Sequence, residues 1–407
     1  MSLLRGNVAF RRYWSARLVS YTGDQLARTA LLIAVYDRHG GGAVALLLLA
    51  STVPRLLGPL LGALADRFDQ RRLMIGCDTV QALTYLAVAL LAPPLPVLLA
   101  LITAATTAAT AFTPAGRSLL PRLVEREQLP AANAQLATGV NIGLAAGPAV
   151  GGLLLATLGL TTTLLVDAAT FVLSALLIGG VRTLSTSGAT RRHEPLHIVL
   201  RDGLRVVRGD SVVRAVSVGF LVMVMFAALD NLAIVPLGRA ELGASEVLIG
   251  LLGTAYGVGM VLGPMCLART GVHIRMDLVL YGALLALGAG TLVTGVSPVI
   301  AFALAGQAVA GVGAGWHNVA ADTLIQQNVP ADRLGVVFGT VYMFPYAAEA
   351  LAYLVGAPLL AMVGPRWVLV ISGLGVLATL GLIAALLTRA LGLRLPTPQG
   401  RLLPTNG

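Results

Sequence analysis

Residues 62–72 read Gly62-Ala63-Leu64-Ala65-Asp66-Arg67-Phe68-Asp69-Gln70-Arg71-Arg72, a short polar break between two long apolar runs. Its three arginines and two aspartates do not belong in hydrocarbon, while the runs on either side are long enough to cross it. The stretch therefore reads as a hairpin between two membrane helices. The same alternation recurs along the chain. Of 407 residues, 57% are hydrophobic and only 11% charged, too little polar surface to clothe a water-soluble body of this size. Twelve spans are predicted, near 13–36, 43–65, 73–92, 96–116, 134–157, 161–181, 213–237, 246–268, 276–296, 298–320, 336–360 and 365–388.

All 28 basic residues are arginine, and their placement predicts orientation because basic loops stay on the cytoplasmic side. With both termini in the cytoplasm, 22 arginines lie in or beside cytoplasmic segments, three (Arg38, Arg239, Arg366) lie outside, and Arg17, Arg28 and Arg55 lie within spans. A net charge of +10 would suggest a nucleic-acid partner for a soluble protein. Here the excess sits where the membrane potential and anionic headgroups draw it, so the expected partner is the lipid bilayer and not nucleic acid. The first apolar run carries Asp24 and Arg28 and has no small-residue cleavage site after it, so no removable signal peptide is expected. Cys77 and Cys266 fall near cytoplasmic ends of spans, without metal-ligand spacing, and read as packing residues. The expected location is the cell (inner or plasma) membrane, with a multi-pass chain.

Sliding the chain against itself by 205 residues brings Leu57-Gly58-Pro59 onto Leu262-Gly263-Pro264, Leu119 onto Leu324, Val124 onto Val329, Gly151 onto Gly356 and Gly159 onto Gly364. One constant offset across five helices signals a duplicated six-helix unit. The predicted fold class is all-α: twelve transmembrane helices in two pseudo-symmetric six-helix bundles, with a site between the bundles near mid-membrane. The expected divisions are an N-terminal bundle (1–182), a cytoplasmic linker (183–212), a C-terminal bundle (213–390) and a disordered tail (391–407). Within the linker, Leu196, Val199, Leu200, Gly203, Leu204 and Val207 recur at helical spacing, predicting an amphipathic helix on the membrane surface.

The pattern Gly62, Asp66-Arg67, Arg71-Arg72 resembles the loop between the second and third helices of the major facilitator superfamily of transporters. In that superfamily the loop latches the bundles together on the cytoplasmic side when the transporter faces outward. The resemblance implies Gly62 as a close-approach glycine, Asp66 as the latch acid, Arg67 as its neighbouring base, and Arg71 and Arg72 as the closing pair. Asp69 replaces the usual second glycine, and Gln70 a base. Asp69 with the downstream Asp78 resembles instead a bacterial branch of drug and macrolide exporters. From the residues alone, the loop also reads simply as a topology-setting basic hairpin.

In the fifth span Gly139, Gly143, Gly147-Pro148 and Gly151-Gly152 place small residues every four positions on one face. This is similar to the glycine and proline signature of antiporter members of the superfamily, although close helix packing alone also produces such a stripe. Residues 113–134, the phrase Asp167-Ala168-Ala169-Thr170-Phe171 and the opening Phe10-Arg11-Arg12-Tyr13-Trp14 resemble the drug:proton antiporter branch that includes macrolide and enterobactin-type siderophore exporters.

Ionisable groups at mid-span cost about 2.5–3.5 kcal/mol each on insertion scales, so they persist where paired, hydrated or used. At about 1.5 Å rise per residue, Asp24 and Arg55 lie roughly level, about 16 and 15 Å from the cytoplasmic ends of their spans, with Glu349 at about 20 Å. Arg28 is one turn from Asp24, and Asp230 falls one position from Asp24's repeat image. Asp24 and Glu349 are the expected proton-linked carboxylates, with Arg55 or Arg28 as the counter-charge released on protonation. A static set of ion pairs fixing bundle geometry is the other reading. Asn231, Trp316, His317, Asn318 and Tyr346, with Tyr256 and Tyr342, offer polar and aromatic faces to a bulky amphipathic ligand, and each alone also fits ordinary packing.

Without lysine no Gly-x-x-x-x-Gly-Lys-Ser/Thr loop exists, which excludes ATP-driven transport of the usual form. Five scattered histidines make no metal cluster. No metal, cofactor or enzymatic activity is expected. The resemblance implies a secondary active exporter of a drug-like or natural-product compound, exchanging it for protons by alternating access, as a monomer. A siderophore exporter of the same fold is the alternative, followed by a small-nutrient symporter or a sensor that moves nothing.

Overall fold

A computed structural model describes residues 2–65, 68–181, 196–269, 275–330 and 333–392, and among them the chain is helical without a strand. Three continuous helical stretches run 45, 51 and 59 residues, each broken at one glycine: Gly40 (φ 76°), Gly159 (φ 78°) and Gly364 (φ 79°). A side chain disfavours that backbone region, so glycine is what lets the helix end and the chain reverse within one residue. Gly159 and Gly364 are images of one another under the 205-residue shift.

Among the described residues, twelve membrane helices result. They are α1 (8–39), α2 (41–65, with a 3-10 turn at Val53–Leu57), α3 (Gln70–Leu91), α4 (Leu95–Leu119), α5 (129–158) and α6 (160–179), then α7 (Ser211–Pro236), α8 (Glu246–Arg269), α9 (Met276–Val296), α10 (Ile300–Asn328), α11 (334–363) and α12 (365–392). Side chains cap three of their starts. Asn7 accepts from the Phe10 amide (2.9 Å), Asp69 from Arg72 (2.9 Å) and Asp210 from Val212 and Val213 (2.8 and 3.0 Å). Asp69 thus works as a helix cap. A further helix, Leu196–Gly209, precedes α7, and its Val206 and Val207 rest on the C-terminal six helices. Asp66, Arg67, residues 182–195 of the linker region and the tail from residue 393 lie outside the described residues.

The helices share two ends: a terminal face, where α1 begins and α12 ends, and an opposite far face. Three apolar cores divide the molecule. One, around Phe10, Met74, Leu119 and Ile178, belongs to the N-terminal half at the terminal face. A second, around Val213, Leu280, Ile325 and Ile383, belongs to the C-terminal half at the same face. The third joins both halves at the far face, packing Ile33, Val44 and Leu164 with Leu232, Ile249, Tyr353 and Val368. Burial of apolar side chains holds the halves together at one end and leaves them with separate cores at the other.

Candidate transport site

The glycines of α5 serve two neighbours. Gly139, Gly143, Gly147 and Gly151 press on α1: a Cβ at Gly147 would lie 2.5 Å from Gln25 Cβ, and one at Gly151 would lie 2.8 Å from Leu26 Cα. Pro148 and Gly152, expected in that same stripe, face α8 of the other half instead. Each follows a stripe residue by one position, about 100° around the helix. There Gly250, Gly253 and Gly257 bring α8 against α5, a Cβ at Gly253 lying 2.9 Å from Pro148 Cβ and one at Gly257 2.6 Å from the Leu144 carbonyl oxygen. Proline at 148 has no N–H, so the Leu144 carbonyl lacks its usual intrahelical partner. The next amide, Ala149, donates to Thr254 Oγ1 at 3.0 Å, a hydrogen bond between the halves.

Charge closes the far face as well. Arg239, beyond the end of α7, grips Asp37 of α1 through two parallel bonds (Nε to Oδ1 3.1 Å, Nη2 to Oδ2 2.7 Å) and reaches Glu246 Oε1 at 2.5 Å. Arg366 pairs with Glu241 at 3.0 Å and donates to the Ser297 carbonyl at 2.7 Å, all within the C-terminal half. Among the described residues, the basic groups of the terminal face tie helices within a half. Arg71 Nε donates to the Ile178 carbonyl (3.1 Å) and Arg12 donates to the Gly180 carbonyl, both at the end of α6. Gly62 contacts Pro114 of α4 at ordinary distance, a Cβ there lying 3.8 Å away. The backbone amide of Arg72 is the one Asp69 caps. Asp78, grouped with the hairpin through its resemblance to the exporter branch, is 1% exposed inside the membrane region, where Ser174 of α6 donates to its Oδ2 at 2.7 Å.

At mid-span, Asp24 forms no salt bridge with either expected counter-charge, Arg55 or Arg28, among the described residues. Arg17 and Arg55 are the cations whose fields reach Asp24, and none forms a salt bridge with it within 4 Å among the described residues. Arg55, in the 3-10 turn of α2, sits 5.9 Å from the ring centre of Tyr346 on α11. Arg17 sits 5.1 Å from that of Phe112. Glu349 accepts from Tyr353 Oη at 2.8 Å, and Tyr353 Oη accepts from Asn231 Nδ2 at 3.4 Å. Asp230 accepts from Gln307 Nε2 of α10 at 3.0 Å. Arg17, Tyr353, Gln307, Thr254 and the Asp37 to Arg239 pair form no short motif, and sequence reading assigned them no role.

A cavity of about 250 Å³ opens in the C-terminal half, walled by Phe220, Asn231, Tyr256, His317, Asn318 and Glu349 with smaller apolar side chains. His317 is 1% exposed and tilts against Phe220 with ring centres 5.1 Å apart, beside Asn318 on the same wall. Trp316 and Tyr346, expected in the cavity, are not on its wall: Trp316 Nε1 donates to the Gly263 carbonyl of α8 at 2.8 Å, and Tyr346 meets Arg55. The residues lining this cavity all belong to the C-terminal half.

Two six-helix halves around an internal cavity define a multi-pass membrane transporter of the major facilitator fold. The crystal structure of the nucleoside transporter NupG has this fold, with a TM-score of 0.73 at 13% identity over 93% of this chain and 99% of that one. The family model described as transmembrane secretion effector matches residues 2–343, and the chain belongs to that family of major facilitator efflux transporters. Macrolide efflux protein A of Streptococcus pyogenes is 24% identical over 340 residues, 81% of this chain and 84% of that protein. The multidrug efflux pump Tap of Mycobacterium tuberculosis is 27% identical over 363 residues, 84% of this chain and 85% of Tap.

Proposed function

We propose that this transporter exports a bulky amphipathic organic compound in exchange for protons, by rocking its two halves about the far-face core. The observation that carries this reading is the division of the apolar cores: one shared at the far face, two separate at the terminal face. That asymmetry is what one end-state of an alternating-access machine requires, because the halves must part at one face while sealed at the other. The arginine distribution supports a cytoplasmic terminal face with both termini on it, and on that reading this is the cytoplasm-facing state. All the parts lie in one chain, so a monomer suffices.

Cargo enters the cavity of the C-terminal half, where phenyl, phenol and imidazole rings offer stacking surface and Asn231, Asn318 and Glu349 offer hydrogen bonds. Among the described residues the wall carries a carboxylate and no arginine, which favours a neutral or cationic compound over an anionic siderophore. Glu349 and Asp24 are the proposed proton carriers. Glu349 sits where protonation and cargo compete for one carboxylate, which is the simplest way to make the two exclusive. Asp230, held by Gln307, and the arginines Arg28 and Arg55 are proposed to set the field around these acids. The hairpin with Asp66, Arg67, Arg71 and Arg72 is proposed to latch the halves together at the cytoplasmic face once they close there.

Inverted vesicles loaded to an acidic lumen test the reading with erythromycin as probe. The wild-type chain accumulates the compound in response to the pH gradient, and Glu349→Gln abolishes the response while leaving gradient-free exchange. Gradient-driven accumulation by Glu349→Gln at the wild-type rate removes Glu349 from the mechanism.

A further inference from the structure

The N-terminal half buries two carboxyl groups that the proposed exchange does not use. Asp167 of α6 is 0% exposed and Asp78 of α3 is 1% exposed. Among the described residues, Asp167 Oδ2 and Asp78 Oδ1 have no hydrogen-bond partner. The one donor to the Asp167 side chain among them is the Thr170 hydroxyl, and it is shared: 2.7 Å to the Asp167 backbone carbonyl and 3.2 Å to Oδ1. Neither acid has a basic group within 4 Å among the described residues. An ionised carboxylate so placed loses its hydration without recovering it from cations or donors, which costs several kcal/mol, whereas a neutral acid leaves at most one unmade hydrogen bond.

The surroundings sharpen this. A Cβ on Gly23 would overlap both Asp167 Oδ1 and Thr170 Oγ1, so the backbone of α1 lies directly on the carboxyl, next to Asp24. Asp24 of α1 and Tyr85 of α3 are the titratable groups that act on Asp167 directly; Arg17 and Arg55 act on Asp24, Arg17 acts on Asp78, and Arg28 and Asp24 act on Tyr85 and on Tyr21 of α1. α5 contains no ionisable residue, and the only one in α4 is Arg117, near the terminal face. Asp24 is the acid whose field reaches both Asp167 and Asp78. The repeat gives a contrast: the images of Asp167 and Asp78 in the C-terminal half are Ser372 and Ala283. Both are fully buried, and Ser372 donates to the Phe226 carbonyl at 2.8 Å. Packing at these positions does not call for an acid.

We propose that Asp167 is a further proton-binding site beside Asp24 and Glu349, loaded from Asp24 and sealed by α1 in the conformation described. The transfer breaks an O–H bond at Asp24 and forms one at Asp167, with the negative charge passing the other way and nothing oxidised or reduced. The proposal rests on the proton-exchange reading for its purpose, but the proton on Asp167 has its own readout.

Infrared difference spectroscopy on the full-length protein in lipid, across a pH jump in H2O and D2O, reports the carbonyl stretch of a buried carboxylic acid. The wild type shows such a band, shifted in D2O. Asp167→Asn removes it, Asp24→Asn retains it, and Asp167→Glu, which keeps the acid if the amide disturbs the fold, moves it. A wild type lacking the band, or a band unchanged in Asp167→Asn, overturns the proposal. Loss of the band in Asp24→Asn with Asp167→Asn unaffected assigns the proton to Asp24 and overturns it equally. If transport ignores the pH gradient, the exchange reading fails while the band still decides the state of Asp167.

Discussion

Gly257→Ala strikes a contact that exists only while the far face is closed. The added methyl would lie 2.6 Å from the Leu144 carbonyl oxygen and 2.8 Å from Ala145 Cα, where ordinary contact begins at 3.4 Å. Both obstacles are backbone of α5, which cannot swing aside like a flexible side chain, so α8 must back away by about 0.8 Å and lose dispersion contact along the seam. Overpacking of this kind costs about 1–3 kcal/mol. Because α5 and α8 belong to different halves, the cost falls on the far-closed state alone, and it shifts the conformational equilibrium about 5- to 150-fold toward the far-open state.

Gly151→Ala is the control. Its methyl would lie 2.8 Å from Leu26 Cα, a contact of α5 with α1 inside one half, which persists in every state. It should lower thermal stability and leave the equilibrium alone. Distances between spin labels at Arg38 and Val299, on the far ends of the two halves, read the equilibrium once Cys77 and the exposed Cys266 are replaced. An unchanged distance distribution in Gly257→Ala, or an equal shift in Gly151→Ala, refutes the assignment of this seam to a gate.

Two further substitutions extend the test. Arg239→Gln removes the clamp on Asp37 and Glu246, whose side chains are 42% and 30% exposed; at that exposure the loss is about 1 kcal/mol, or about fivefold toward the far-open state. Labelling rates of a far-face cysteine measure it, and because the pair is screened the difference from wild type should shrink at high salt. Trp316→Phe removes the 2.8 Å bond to the Gly263 carbonyl and should lower stability by about 1 kcal/mol, with the transport KM for erythromycin unchanged; a raised KM with normal stability would return Trp316 to the cavity wall.

The architecture was legible because a membrane simplifies the reading: spans announce themselves as apolar runs, and the 205-residue repeat groups them. Gly159 and Gly364 stand out as repeat partners from the sequence, and both take the left-handed backbone that ends a helix. Gly40 escaped the repeat because its image, Ser245, follows a turn built differently, from a π-helical Leu237–Glu241 and Gly243 at φ 57°. Adjacency in sequence misled wherever a helix turned it into divergence. Trp316, His317 and Asn318 read as one polar patch, yet successive residues point about 100° apart, so Trp316 bonds to α8 while the other two face the cavity. Asp78 is grouped with the hairpin through its resemblance to the exporter branch, but a little over two turns of helix carry it into the bundle. Arg239 and Asp37 lie 202 residues apart, and no local pattern announces a pair that only tertiary structure creates.

Of the proposed proton acids, Asp24 and Asp167 lie in one half while Glu349 lies on the cavity wall in the other, so any coupling among them has to cross the interface. α11 is the element positioned to carry it. It bears Glu349 and Tyr353 toward the cavity, and it bears Tyr346 beneath Arg55 of α2. Arg55 in turn stands in the 3-10 turn of α2, whereas its repeat counterpart α8 runs through the equivalent region as unbroken α-helix. A 3-10 stretch inside a helix marks a place where the backbone can change its winding cheaply. The contact of Arg55 with Tyr346 is worth only about 0.5–2 kcal/mol, weak enough to break in each cycle. A proton arriving at Asp24 removes one of the charges holding Arg55 in place. On this reading the arginine then moves with the turn, Tyr346 is released, and Glu349 feels the change through the same helix. The coupling is built from several small contacts, and that permits a reversible cycle where one strong ion pair would trap a single state.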